Sequence, residues 1–250
     1  LQPLADARAV DGARARGLEA EQLWQGHAAW RVEPVSGGAW EPASPTGLLV
    51  RDDLSARLHP RRALAALVGA LRAKGGEVAK DGVEAGLVVH ATGVAGLAAL
   101  TQAAGRAQGG GVKGQAMVLR FAAEGMAQLF VDGLHIVPHA DGTVAIGSTS
   151  ENQWAEAAVT DGQLEGLLTR AIAALPVLAG AEAMERWAGL RPRAASRAPV
   201  MGAWPGRAGH YVANGGFKIG FGMAPLVAEV MADLLLEGRD AIPAGFRLGW

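Results

Sequence analysis

The segment Gly86-Leu-Val-Val-His-Ala91 constrains the fold more than any other. It is short, apolar apart from one histidine, and closed by Thr92-Gly93. A strand with apolar side chains on both faces belongs inside a sheet that helices cover on both sides, the layout of α/β proteins. A second such segment, Tyr211-Val-Ala-Asn214, leads into the loop Gly215-Gly-Phe-Lys-Ile-Gly220 and then a helix expected from Ala224 to Glu237, closed by Gly238. Between Arg61 and Lys74 the residues Leu64, Leu67, Val68 and Leu71 recur at helical spacing, behind Pro60 and ahead of Gly75, so a helix is expected there too.

The middle of the chain differs in kind. Residues 116–121, 128–131, 134–139 and 143–148 are short strand-like runs, and Asp132-Gly133 and Asp141-Gly142 between them are strong hairpin signals. They imply an antiparallel meander. A helix is expected from Gly162 to Leu175, with Thr160 and Gln163 in capping-box spacing and Pro176 ending it. Three glycines at 109–111 mark a crossing between subdomains. Residues 1–46 read as a peripheral helical segment, with helix-like stretches at 5–16 and 19–24 before a proline-rich loop.

Composition removes several functions. The 23 basic and 24 acidic side chains leave a net charge of −1, which provides no field for a polyanion, so no nucleic-acid partner is expected. Half of the residues are hydrophobic and 19% are charged, which excludes a disordered chain. With no cysteine there is no disulfide, thiolate nucleophile or cysteine-bound zinc; this, and the lack of a basic and apolar leader at Leu1, fits a cytoplasmic chain. The uncharged stretch 85–105 is interrupted by His90, Thr92, Gln102 and several glycines and is not expected to enter a membrane.

The strand, glycine-rich loop and helix at 211–237 can present backbone donors and a helix N-terminus to a negative group, with Lys218 adding a cation; a packed turn with no ligand is the equally open alternative. Arg191, between an apolar stretch and Pro192, is placed to hold a carboxylate or phosphate, or else to make a surface ion pair. His135 and His139 stand four apart, which would suit a metal on a helix, but on a strand they lie roughly 13 Å apart, so no metal is expected there. His90 reads as a core histidine with its hydrogen bonds satisfied. Gly147-Ser-Thr-Ser150 does not form a nucleophile elbow, and the acidic residues of 151–165 read as a solvated helix entrance.

Seven segments in order carry a resemblance. They are 47–60 with the helix after it, Val88-Val-His-Ala-Thr-Gly93, Val112-Lys-Gly-Gln115, residues 136–149 with Glu151, Trp187-Ala-Gly-Leu-Arg-Pro192, Pro199-Val-Met-Gly202, and 212–225. Together they resemble the D-amino-acid oxidase and glycine oxidase family of FAD-dependent oxidoreductases over roughly residues 47–248. The resemblance implies a Rossmann-like three-layer α/β domain, from 47–111 and 187–250, interleaved with an antiparallel substrate domain at 112–186. It places Ala91, Thr92 and Gly93 against FAD, together with Gly215, Gly216, Phe217, Lys218, Ile219, Gly220 and Phe221. The helix near Gly222 and Lys218 would face the pyrimidine end of the flavin, where a reduced ring is anionic, and Arg191 would hold the substrate carboxylate. The implied reaction oxidises an amine or amino acid by hydride transfer to the flavin, with O2 taking the electrons to give hydrogen peroxide.

The sequence departs from that pattern in several places. The family's opening strand, its G-x-G-x-x-G turn leading into a helix and its acidic ribose-binding residue are absent from the start of the sequence, which implies that the N-terminal dinucleotide-binding unit is missing from these residues. The single tyrosine, Tyr211, belongs to a strand. The turn 82–85 is short, and Ser196 stands where an aspartate is common. The competing readings are a non-catalytic fragment or binding module and, ranked last, a nicotinamide-dependent dehydrogenase.

Overall fold

The computed structural model describes residues 1–248. The chain divides into two compact units, the first made of 1–78, 115–149 and 159–188, the second of 79–114, 150–158 and 189 onward. Residues 47–78 therefore group with the antiparallel part of the chain, a division that differs from the one implied by the resemblance.

In unit 1, β1 (Gln2–Pro3), β2 (Trp30–Pro34) and β3 (Leu48–Asp52) form a sheet of order β1-β3-β2. One continuous helix, α1 (Ala7–Trp24), packs on it through Val10 and Ala13, against Leu4 and Val50. Asp6 caps α1 by accepting a hydrogen bond from Ala9 N at 2.7 Å. The two helical stretches expected here join because Gly17 sits in mid-helix against Trp30, where an added Cβ would meet the indole at 3.3 Å. Residues 1–46 thus contain strands as well as a helix. β2 is an edge strand whose alternation is short and ends on a proline, which weakens its signal in sequence.

The meander forms as the turn signals require. β5 (Gly109–Arg120), β6 (Leu129–Val131), β7 (Leu134–Pro138), β8 (Thr143–Gly147) and β9 (Glu182–Ala194) make a sheet of order β6-β7-β8-β5-β9. Asp132 (φ 47°) and Gly133 (φ 77°) take the left-handed conformations of a type I′ hairpin. Leu129, Leu134, Ile136, Val144 and Ile146 line the inner face. α4 (Gln163–Ala174) covers that face with Leu164, Leu167 and Ala171, and Trp40 closes one end. The expected Thr160–Gln163 capping box does not form: α4 has no side-chain bond at its cap, Gly162. Asp161 instead accepts from Gln163 N at 3.0 Å and from Gln115 Nε2 at 2.8 Å, because tying its carboxylate to β5 satisfies both elements at once.

The glycines at 109–111 lie inside β5, a strand whose first residues, to 114, belong to unit 2 and whose remainder belongs to unit 1. Their lack of side chains serves close strand packing: a Cβ on Gly109 (φ 151°) would overlap Arg193 O, and one on Gly111 would press Leu190 at 3.1 Å. The helix over Arg61–Lys74 forms as α2 (Pro60–Ala73) but buries none of its residues, and Leu67 is 64% exposed.

Unit 2 is built on a three-stranded sheet of β4 (Val88–His90), β10 (Val200–Ala203) and β11 (His210–Asn214), in order β10-β11-β4. β11 runs antiparallel to β10 and parallel to β4. Alternation divides its faces. Val200 and Val212 pack with Leu97 and Leu100 of α3 (Gly93–Ala104), while Met201, Tyr211 and Ala213 pack with Val230 and Met231 of α5 (Gly220–Glu237). The result is a helix–sheet–helix sandwich. β4 is not enclosed as its composition suggests. Among the described residues it pairs only with β11, and Val89 is 40% exposed. α5 starts four residues before the expected Ala224 and carries Pro225 inside it, at the cost of one intrahelical bond. With the short helical turn before it, residues 217–237 are long and apolar enough to cross a membrane, and 11% of that stretch is buried.

Candidate functional site

The parallel pairing of β4 and β11 brings their carboxyl ends side by side, the edge at which open α/β sheets receive ligands. β4 ends at Ala91-Thr92 and enters α3 at Gly93, and β11 ends at Asn214 and enters Gly215-Gly216. Asn214 ties the two exits together. Its buried amide donates to Gly93 O at 2.8 Å while its oxygen accepts from Gly215 N at 2.7 Å. Small residues are required here: a Cβ on Gly96 would overlap Thr92 Oγ1 and come within 2.8 Å of Asn214 Nδ2.

The loop after β11 is set by glycines too. Gly215 has φ 78°, and a Cβ there would meet Ala194 Cβ at 2.7 Å. Gly216 approaches Gly220 Cα so closely that its Cβ would lie at 2.8 Å. A single turn of 3-10 helix, Phe217–Ile219, then opens α5. Neither α3 nor α5 has a side-chain hydrogen bond at its N-cap, so each presents the positive end of its dipole at this edge.

A cavity lies at this edge, lined by Ala91, Gly93, Pro192, Ala213, Asn214, Gly215, Gly216, Phe217, Lys218, Gly220, Phe221 and Ala224, with a volume of about 380 Å³. It therefore gathers Ala91, Gly93 and most of the 215–221 loop; Thr92, the N-cap of α3, and Ile219 do not line it. That size is at the low end of small-molecule pockets, about 300–1,000 Å³, and suits one ring system better than a dinucleotide. Its walls fit the electron-accepting ring of FAD, with glycine backbone, uncapped helix starts, two aromatic rings and one lysine. Lys218 Nζ stands 5.6 Å from the Phe217 ring centroid, and the Arg193 guanidinium 5.7 Å from it.

Arg191 is on β9, next to the cavity-lining Pro192, but does not itself line the cavity. Its guanidinium lies flat against Gly114, where a Cβ would overlap it. Burial lowers the Arg191 pKa from its ordinary value, and attraction to Glu151 opposes that effect. Glu151 in turn pairs with Lys113 at 3.7 Å, with both side chains almost wholly buried. Their backbones also exchange two hydrogen bonds, at 3.0 and 2.9 Å. Arg191 and Lys113 are thus both drawn to the Glu151 carboxylate.

Lys113, Glu151 and Asn214 were not singled out as site residues in the sequence. Lys113 and Glu151 do lie in two of the segments that carry the family resemblance, a signal that was available. His90 Nε2 is 3.0 Å from His210 Nδ1 and its ring rests 4.5 Å from Trp204, but the residue is half-buried and is not the core histidine expected.

The family model described as FAD-dependent oxidoreductase matches residues 2–234. Glycine oxidase of Pseudomonas aeruginosa is 34% identical over 132 residues, 52% of this chain and 36% of that protein, so the chain spans about a third of the length of this relative. Among solved structures, iminodiacetate oxidase from Chelativorans superposes with a TM-score of 0.82 at 21% identity, covering 98% of this chain and 74% of that one. Glycine oxidase from Geobacillus kaustophilus superposes with a TM-score of 0.74 at 23% identity, covering 99% and 73%. These likenesses carry the fold, and the family match extends over nearly the whole sequence. The chain belongs to the D-amino-acid oxidase family of FAD-dependent oxidoreductases.

Proposed function

We propose that this chain forms the flavin-ring and substrate-binding part of an oxidase of amines or amino acids. The observation that carries the reading is the meeting of two helix starts without side-chain caps on a glycine-walled cavity, in the same unit as the buried Lys113–Glu151 pair and the half-buried Arg191. When bound, FAD would supply the ring that accepts a hydride from the substrate α-carbon and passes the electrons to O2, giving hydrogen peroxide. The protein's contribution is electrostatic and positional. Lys218 and the first amides of α5 would stabilise the negative charge of the reduced ring. Gly215 and Gly216 let the backbone approach it, and Phe217 and Phe221 exclude water from its face. Arg191, attracted to the Glu151 that pairs with Lys113, would receive the substrate carboxylate. No acid or base is needed at the α-carbon, and none lines the cavity except the lysine.

The test is a comparison of two substrates with the FAD-loaded protein. Arg191→Ala is expected to lower kcat/KM for an amine bearing a carboxylate by roughly 10- to 150-fold, the loss of a charge-assisted hydrogen bond. An amine without a carboxylate should be affected far less. Equal losses on both substrates, read by peroxide release, would make Arg191 a structural residue.

A further inference from the structure

A cluster away from this site is built from three potential ligands brought together by unit 1. His59 precedes α2, and His139 and Asp141 sit in the β7–β8 turn. One ligand atom from each lies within 4.8 Å of the others. The two imidazoles are 4.5 Å apart between centroids, His59 Nε2 is 3.5 Å from Asp141 Oδ2, and His139 Nδ1 is 3.2 Å from Thr143 Oγ1. Thr143 also donates to Asp141 Oδ1 at 2.6 Å, which orients the carboxylate. His59 Nδ1 is buried with no hydrogen-bond partner, so the ring is held from one side only and can tilt. All three residues line a cavity of about 470 Å³ whose other walls include Trp187, Met184 and Val137.

We propose that His59, His139 and Asp141 bind a late first-row divalent cation such as Zn2+, with the open coordination position facing this cavity. Two imidazoles and a carboxylate are the donor set such ions prefer. Tetrahedral bonds of about 2.0–2.1 Å put donor atoms about 3.3 Å apart, so the donors need to close by no more than about 1.5 Å. The cation would displace Arg62, now 3.2 Å from Asp141 Oδ2. A second histidine cluster, Glu84, His90 and His210, is the less suitable one. Its two rings already bond each other, and Arg207 donates to Glu84 at 2.7 Å.

The test is calorimetric titration of the purified, chelator-treated protein with Zn2+ alone, before any flavin is added. One equivalent is expected to bind, and His59→Ala and Asp141→Asn should each weaken binding at least about tenfold. His210→Ala should leave it unchanged. His59 is the partly exposed member of the pair, so its substitution leaves the core intact, and circular dichroism checks this. Absence of saturable binding, or binding lost in His210→Ala and kept in His59→Ala, would overturn the proposal.

Discussion

The two units solve the burial problem differently. Unit 1 has a closed core: the meander's inner face, α4 and Trp40 enclose Leu129, Ile136, Ile146, Leu164 and Leu175, each about fully buried, while α2 stays outside it. Unit 2 has a parallel strand with a free edge and a long apolar helix, α5, with only Val230 and Met231 buried and Leu226 53% exposed. The open unit is also the one that gathers helix N-termini, glycine turns and buried charge at the carboxyl ends of its parallel strands. A helix–sheet–helix layer leaves backbone donors at that edge by construction, whereas an antiparallel meander spends its backbone groups on neighbouring strands. In unit 2, backbone donors and unfinished burial therefore occur together.

Substitutions break or sharpen this contrast, beginning with the largest effect. In unit 2, Glu151→Gln removes the anion of the buried Lys113–Glu151 pair. The expected loss of stability is about 3–5 kcal/mol, as for removing one partner of a buried ion pair, measured by denaturant unfolding. A loss under about 1 kcal/mol would show that the pair is hydrated. In unit 1, Ile136→Ala should cost about 2–5 kcal/mol by cavity formation, while Leu226→Ala on α5 should stay within about 0.5 kcal/mol. Similar losses at both positions would mean that α5 is covered in solution.

The smallest effect separates the units by pH. Burial lowers the His139 pKa. The unfolded chain therefore binds the proton more readily, and stability falls as pH drops through the unfolded value near 6.5, levelling off below the folded value. His139→Gln should flatten that part of the stability–pH curve. Asp141, whose pKa is lowered first by its hydrogen bond from Thr143, acts only below its ordinary value near 3.8 and leaves this window to the histidine. An unchanged slope in His139→Gln would assign the proton to another group.

What could be read in the sequence follows the same division. Asp132-Gly133 and Asp141-Gly142 specify local backbone geometry, so the hairpins were legible, as was the α2 stripe. β9 was not, since Glu182, Ala183, Met184, Glu185 and Arg186 are good helix formers and the strand depends on pairing with β5. The exposure of β4 was also hidden, because an apolar strand looks the same whether its neighbour is present or not. At the site, Gly215 and Gly216 stood out because a loop between strand and helix demands them. The Lys113–Glu151 pair did not, because it joins segments far apart in the chain. The His59–His139 pair was missed for the same reason: spacing along one strand argued against His135 with His139, and only the tertiary fold supplies the other partner.

The central claim is that the cavity at the ends of β4 and β11 holds the flavin ring. It is tested most directly by titrating FAD with the protein and with Gly215→Ala, following flavin fluorescence and visible absorbance. Saturable quenching with a shifted absorbance band is expected for the native sequence. In Gly215→Ala it should be weakened at least about tenfold, since a left-handed alanine costs about 1–2 kcal/mol and its methyl would also meet Ala194. Flavin signals that the protein leaves unaltered, or that Gly215→Ala perturbs equally well, would contradict it.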